Sequence, residues 1–284
     1  MKAIAAVNNE MRMTTTNPLE FLPSKSAVFT YDGTLEGFYS LVFRAFSEKT
    51  EPMEILNRRL EPQTSLDETI HVDTNPAQAQ RVRDGLIKRT GERNDRLVHV
   101  AFLTQDKETD MLLWRYLHKV FNDRTGTLHQ NLLDPDVYDM VQCARRVRRE
   151  VHRFNGFIRF QKTSDGVFFA PVDPDNDILR LLIPHFRKRY ADQEWLIYDV
   201  RRKYGIWYDK NKVHEVFIDK PAINLRTGLL SRSTMDIDED YYRKLWQHYY
   251  DAINIIERKN HRQMKAFMPK RYWKYLPEKQ VKKL

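Results

Sequence analysis

The sequence predicts an α+β protein, and three observations carry that reading. Apolar residues recur at three- and four-residue steps through the first half of the chain. At Gly156 the period shortens to two and β-branched and aromatic residues gather in short runs. A second long helical pattern then closes the chain from about Asp238. At 284 residues with 41% hydrophobic content there is material for one large core or two modest ones.

Residues 1–25 carry the Thr14-Thr15-Thr16 run, Pro18 and Pro23, and read as a loosely ordered lead-in. Residues 26–155 read as mainly helical. Val28 to Tyr31 is a short strand ended by Asp32-Gly33, after which Thr34 caps a helix with Leu35, Phe38, Tyr39, Val42, Ala45 and Phe46 at core-facing spacing. Lys49 to Asp67 is polar, contains Pro52 and Pro62, and is expected to form a surface connection. A strand at Thr69 to Val72 precedes a helix opened by Asn75-Pro76 and stopped at Gly91. Helices over Asn94 to Leu103 and Glu108 to Phe121 follow, and Asp134-Pro135 starts a long one reaching about Phe154.

Residues 156–220 read as an antiparallel sheet of about five strands with an inserted helix. The strands are Phe157 to Lys162, Val167 to Val172, Trp195 to Val200, Gly205 to Tyr208 and Val213 to Ile218, and the helix is Ile178 to Tyr190. Residues 236–284 form the last region, a helix to about Lys259 and a basic aromatic tail.

Charge is unevenly spread. The net charge is +9, yet Glu257 to Leu284 holds ten basic and two acidic residues, leaving the rest of the chain near neutrality. In that tail Arg258, Arg262, Lys270, Arg271 and Lys274 alternate with Tyr272, Trp273 and Tyr275. Basic groups reach phosphates and aromatic faces stack on unpaired bases, so the pattern suits nucleic acid. An alternative is that the rings pin the tail to the core while the lysines are solvated. A second cluster is Arg145, Arg146, Arg148, Arg149, His152 and Arg153 on the 135–154 helix. Three- and four-residue steps place 145, 149 and 152 on one side, and likewise 146, 149 and 153. This is a candidate phosphate-binding ridge, or else a solvated helix face. His185, Arg187, Lys188 and Arg189, with Arg201, Arg202 and Lys203, form a third set. All three fit one extended groove.

Templates for chemistry are sparse. Asp173, Asp175 and Asp177 alternate, but Ile178 and Pro184 stand where a calcium loop needs Gly and Glu, so a turn and helix start is expected. No Walker loop, dinucleotide fingerprint, His-Glu-x-x-His or Cys-x-x-Cys occurs, and the single cysteine, Cys143, reads as a small buried apolar residue. No metal or cofactor is expected. Asp199 and Glu257 are the carboxylates placed near basic clusters, where ion pairing is the ordinary role and water activation the alternative. No apolar run approaches the roughly 20 residues of a membrane helix, and a cytoplasmic location is expected.

Several segments resemble a bacterial family assigned to DNA metabolism or repair. Its members are encoded beside a radical SAM protein related to spore photoproduct lyase, and some are fused to a uracil-DNA glycosylase domain. The likeness rests on Tyr31-Asp32-Gly33-Thr34 with Glu36-Gly37 and Val42-Phe43, on Arg146 to Phe160, and on Asp165 to Tyr208. It continues through Glu257-Arg258, Asn260, Gln263, Met268-Pro269 and Arg271-Tyr272-Trp273. The resemblance implies the stand-alone form of a repair protein and carries over no catalytic residue; together with the basic tail and the arginine ridge it leads to the expectation of a DNA-binding accessory protein that presents damaged or single-stranded DNA to a partner enzyme. With one cysteine, the chain lacks a radical SAM triad, so such chemistry falls to a partner. The rival expectations are a glycosylase-like or nuclease-like hydrolase using Asp199 or Glu257, and a protein-binding adaptor.

Overall fold

The computed structural model describes residues 25–59, 69–104, 106, 108–218, 221–224, 227–253 and 260–280. Residues 1–24 of the expected lead-in, Glu257 and Arg258 lie outside these residues. The chain divides into two units, Met1–Val82 and Arg83–Leu284.

In the first unit β1 (Lys25–Tyr31) runs into α1 (Leu35–Glu48), which returns the chain to β2 (Thr50–Asn57); β3 (Thr69–His71) joins the other side. The sheet order is β2-β1-β3 and both pairings are parallel. A helical crossover is what parallel neighbours require. The β1–α1 turn is built by Asp32. Its Oδ1 accepts from the Thr34 N–H at 2.8 Å and hydroxyl at 2.7 Å, and its Oδ2 accepts from the Thr74 hydroxyl at 2.8 Å. Burial works to raise the Asp32 carboxyl, but these donors hold it below its ordinary value. Thr34 then caps α1, accepting from the Gly37 N–H at 2.9 Å. A Cβ at Gly37 would meet Asp32 Oδ1 at 2.2 Å, so the turn closes only over glycine.

The first unit corrects one expectation. Thr50–Asn57 is a strand where a surface connection was expected, with Ile55 4% exposed. Pro52 concealed it. The residue sits on an edge strand beside a register shift at Ala27/Val28, where a missing N–H is tolerated.

α2 (Pro76–Thr90) spans the division between the units. The second unit continues with α3 (Glu92–Phe102), α4 (Thr109–Asn122) and α5 (Pro135–Phe157). Leu113, Tyr116 and Leu117 of α4 and Val137, Met140, Ala144 and Val147 of α5 are fully buried. The start of α5 is strongly specified: Asp134 accepts from the Asp136 and Val137 N–H groups, Pro135 occupies the first turn, and Lys119 Nζ lies 2.8 Å from the Asp134 carboxylate.

The remaining strands are β4 (Gln161–Lys162), β5 (Phe168–Val172), β6 (Trp195–Asp199), β7 (Tyr204–Tyr208) and β8 (Val213–Phe217), in that order across one sheet. Four of the strands fall inside the expected segments and β7 begins one residue earlier than expected, at Tyr204, but the sheet is mixed, because β5 and β6 run parallel. The reason is α6 (Leu179–Arg189), which lies between them in sequence and carries the chain back to the end from which β5 began. α7 (Glu239–Ala252) and α8 (His261–Phe267) follow, then a 3-10 stretch at Lys270–Tyr275. Apolar residues of the last helical segment are exposed: Leu245 and Tyr249 of α7 and Ile253 at its C-terminal cap are each more than half accessible. Among the described residues no helix is long and apolar enough to cross a membrane.

The Asp134 cap yields a test. Burial raises its carboxyl, but Lys119 and the Val137 and Asp136 N–H groups outweigh that and lower it. A depressed carboxyl contributes stability that is present above the unfolded value near 3.9 and is lost as pH falls through the folded value. Asp134→Ala should cost about 1 kcal/mol in urea unfolding at pH 7. The difference from wild type should shrink as pH drops below about 4.

Candidate functional site

α5 supplies the wall of a cleft. Residues 146, 149 and 153 follow one another at helical spacing, and their guanidinium groups line a space of about 470 Å³. The opposite side comes from Thr104 and Asp106 between α3 and α4, from Asp175 and Asn176 between β5 and α6, and from Arg271 of the tail. A second depression shares Asp106, Arg146 and Arg149 and continues to Gln142, Asp139 and Arg115. The groove thus follows α5 from Asp139 to Arg153, about 21 Å at 1.5 Å per residue.

The floor is Glu150, which the core face of α5 buries to 4% exposure. A carboxylate there must be fully hydrogen-bonded. Its Oε1 accepts from the Asp175 N–H at 2.8 Å and the Tyr272 hydroxyl at 2.6 Å; its Oε2 accepts from the Asn176 N–H at 2.9 Å and from the Asn176 side chain. Three distant segments meet on one side chain. Tyr272, 2% exposed, packs edge-on against Phe154 with centroids 4.9 Å apart. Burial and the Glu150 carboxylate push its hydroxyl well above the usual phenol range.

The 173–176 loop is held from its other side. Arg201 Nε donates to Asp173 at 3.0 Å and Lys274 Nζ donates to the same carboxylate at 3.2 Å. Arg271 donates to Asp175, and its guanidinium lies 4.7 Å from the Tyr272 ring centroid. Burial acts to lower Arg271, but Tyr272, Asp175 and Glu150 hold it above its ordinary value. Arg202 donates to Asp199 at 2.7 Å and to the Pro174 and Asp175 carbonyls at 3.2 and 2.8 Å. Asp177 accepts from the Tyr204 hydroxyl. The three alternating aspartates are therefore taken up by ion pairs and a phenol, as the turn reading anticipated. Among the described residues no group of three His, Cys, Asp or Glu could hold a metal ion.

The cleft sorts the expected phosphate ligands. Arg146, Arg149, Arg153 and Arg271 converge. Arg146 shares Asp106 at 3.5 Å and Arg271 is paired with Asp175. Arg149 and Arg153 bond only backbone carbonyls, those of Arg145 at 3.4 Å and Ala266 at 3.2 Å, and pair with no carboxylate among the described residues. Arg145 and His152 are exposed on α5 outside the cleft lining, as are Arg262 and Lys270 on the tail. Arg187 lies over the Tyr208 ring at 5.8 Å, away from the cleft.

Five assignments need correction. Tyr272 is a core residue whose ring is covered, so it offers no face to a base. Arg202 is a clamp, with a side chain 14% exposed and its donors spent on Asp199 and two carbonyls. Lys274 is paired with Asp173 and sits 4.7 Å from the Tyr275 ring centroid, while the Trp273 indole donates to the Met268 carbonyl at 3.0 Å; both serve to dock the tail. Asp199, fully buried, accepts from the Arg201 and Arg202 N–H groups at 2.9 and 3.0 Å as well as from the Arg202 side chain, the ion-paired role that is ordinary for such a carboxylate. Glu150 was missed because a lone Glu among arginines reads as surface charge. The signal was its spacing, three residues after Val147 and four before Phe154 on the buried stripe.

Removing one donor from Glu150 tests this floor. Tyr272→Phe should destabilise the protein by roughly 1–3 kcal/mol in urea, since a buried carboxylate loses a partner. It should also raise the rate at which protease cuts within residues 270–280.

No curated protein and no solved structure matches the chain. Its sequence does match a family known as DUF4130, a domain of unknown function, over residues 107–278. The matched span holds α5, the 173–176 loop and the tail through Glu278, and so every arginine of the cleft. The chain belongs to the DUF4130 family.

Proposed function

We propose that the protein binds single-stranded or damaged DNA in the α5 groove, as an accessory of repair or modification, and presents it to a partner enzyme, a radical SAM protein. The observation that carries this reading is the convergence of Arg146, Arg149, Arg153 and Arg271 on one cleft, two of them without a carboxylate partner among the described residues. Guanidinium groups free of internal pairing are available for bidentate phosphate contact. The exposed Arg145, Arg262 and Lys270 add positive potential around the groove. The hydrolase alternative has lost Asp199 as its candidate, while Glu257 lies outside the described residues.

A second reading, a protein-binding adaptor, draws support from the exposed Leu245 and Tyr249 on α7 and Ile253 at its C-terminal cap. An apolar stripe of this kind is also suited to a helix or sheet of a partner.

Fluorescence anisotropy with short single- and double-stranded DNA, measured between 50 and 200 mM salt, separates these readings. Single strands should bind with an affinity that falls with salt. Arg149→Ala and Arg153→Ala should each make the log–log slope shallower by about 0.7. Arg187→Ala should leave slope and affinity unchanged, and Arg202→Ala should lower Tm. Binding that ignores salt, or survives the Arg149→Ala/Arg153→Ala double variant, overturns the DNA reading; partner association without DNA affinity supports the adaptor.

A further inference from the structure

A second cavity in the same unit, about 530 Å³, is of different character. Its size is within the range of small-molecule sites. Aromatic rings dominate its wall: Phe160 and Phe168 from the sheet side, Tyr242 and Trp246 from α7, and Tyr275 from the tail. The cavity is preformed. Gln161 fastens the 228–230 loop, donating to the Gly228 carbonyl at 2.7 Å and accepting from the Leu230 N–H at 2.9 Å. Gly228 has φ +68°, and a Cβ there would meet the Tyr275 ring at 2.5 Å, so the ring lies directly against bare backbone.

Trp246 is fixed although 37% of it is accessible. Glu278, whose side chain is 1% exposed, accepts from the Trp246 indole N–H at 2.9 Å with one oxygen and from Arg159 at 2.8 Å with the other. The Arg159 guanidinium in turn lies 5.1 Å from the Trp246 ring centroid. A buried carboxylate is thus committed to orienting a ring that remains open to solvent. Three polar groups of the wall are incompletely used, two of them the buried Tyr275 hydroxyl and Arg159 Nε, which have no hydrogen-bond partner among the described residues. Glu239 Oε2 accepts from the Lys162 N–H at 2.9 Å, while Oε1 has no hydrogen bond among the described residues. The charged groups around it are mutually paired, Lys162 with Asp236 and Arg243 with Asp240, which leaves the Glu239 carboxylate as the cavity's acceptor for a donating ligand.

We propose that this cavity is a binding site for one unstacked nucleobase, its ring against Trp246 and Tyr242 and its amino or ring N–H group donating to the free oxygen of Glu239. Identifying the ring as a nucleobase rests on the DNA-binding reading. Arg271 of the cleft and Tyr275 of the cavity stand four residues apart on the same 3-10 stretch, about 8 Å at 2.0 Å per residue. The groove and the aromatic receptacle are thus joined by one short stretch of chain, so a strand held by its phosphates has stacking rings on the same element that supplies Arg271.

Saturation-transfer NMR with the four free 2′-deoxynucleosides tests the site without using the arginine cleft, because nucleosides carry no phosphate. Base protons should receive saturation, free deoxyribose should not, and binding should be insensitive to salt and to Arg149→Ala. Trp246→Ala should weaken binding about tenfold, Trp246→Phe should restore most of it, and Leu229→Trp, which fills the cavity, should abolish it. Absence of transfer with all four nucleosides, or transfer unchanged by Leu229→Trp in a protein with wild-type circular dichroism, overturns the proposal even where oligonucleotides bind. Nucleoside binding in a protein that ignores oligonucleotides leaves the cavity assignment standing and removes the groove.

Discussion

Much of the second unit is organised by one buried carboxylate. Glu150 sits on the core side of α5, where an uncompensated charge is strongly unfavourable, and four donors from the 175–176 backbone, Asn176 and Tyr272 surround it. None of those donors belongs to α5. Satisfying the charge therefore obliges the β5–α6 loop and the tail to come to the helix. Once they are there, Asp175, Asn176 and Arg271 stand opposite Arg146, Arg149 and Arg153, and the cleft exists.

The same requirement divides the basic residues into two populations. Bringing the 173–176 loop to α5 places the Asp173 and Asp175 carboxylates close together, and Arg201, Arg271 and Lys274 neutralise them while Arg202 ties down the loop backbone. These cations hold the structure. Arg149 and Arg153, one and three residues from Glu150 on the same helix, face the cleft with no carboxylate partner among the described residues. Position on α5, and not residue type, decides which arginine is structural and which is free for a ligand.

This division explains how far the sequence could be read. Periodicity located α1, α5, α6 and the five strands of the second sheet within a few residues, because each has an apolar face of regular spacing and a cap or breaker at its end. β2 escaped, since Pro52 on an edge strand resembles a loop when neighbours are unknown. The parallel β5–β6 pair was implicit in the helix between them. Charge clustering found the arginines of the cleft but could not separate Arg149 from Arg202, whose partners Asp199, Pro174 and Asp175 come together only through the turn after β6 and the 173–176 loop. Tyr272 was misread for the same reason: the tail's alternation of rings and cations describes a stacking platform and a docked anchor equally well.

Pairing also sets what the groove can do. A phosphate arriving at Arg271 or Arg146 competes with Asp175 or Asp106, so those contacts return less than their full Coulombic value, whereas Arg149 and Arg153 release only counterions. Two such contacts give a log–log salt slope near −1.4 on single strands, and four give about −2.8, so raising salt fourfold weakens binding roughly 7- to 50-fold. That is a modest electrostatic grip. A protein limited to it would hold any single strand weakly, and discrimination between strands has to come from a feature that reads something other than phosphate. In the second unit the place for it is the wall of rings around Trp246, joined to the cleft by the few residues between Arg271 and Tyr275.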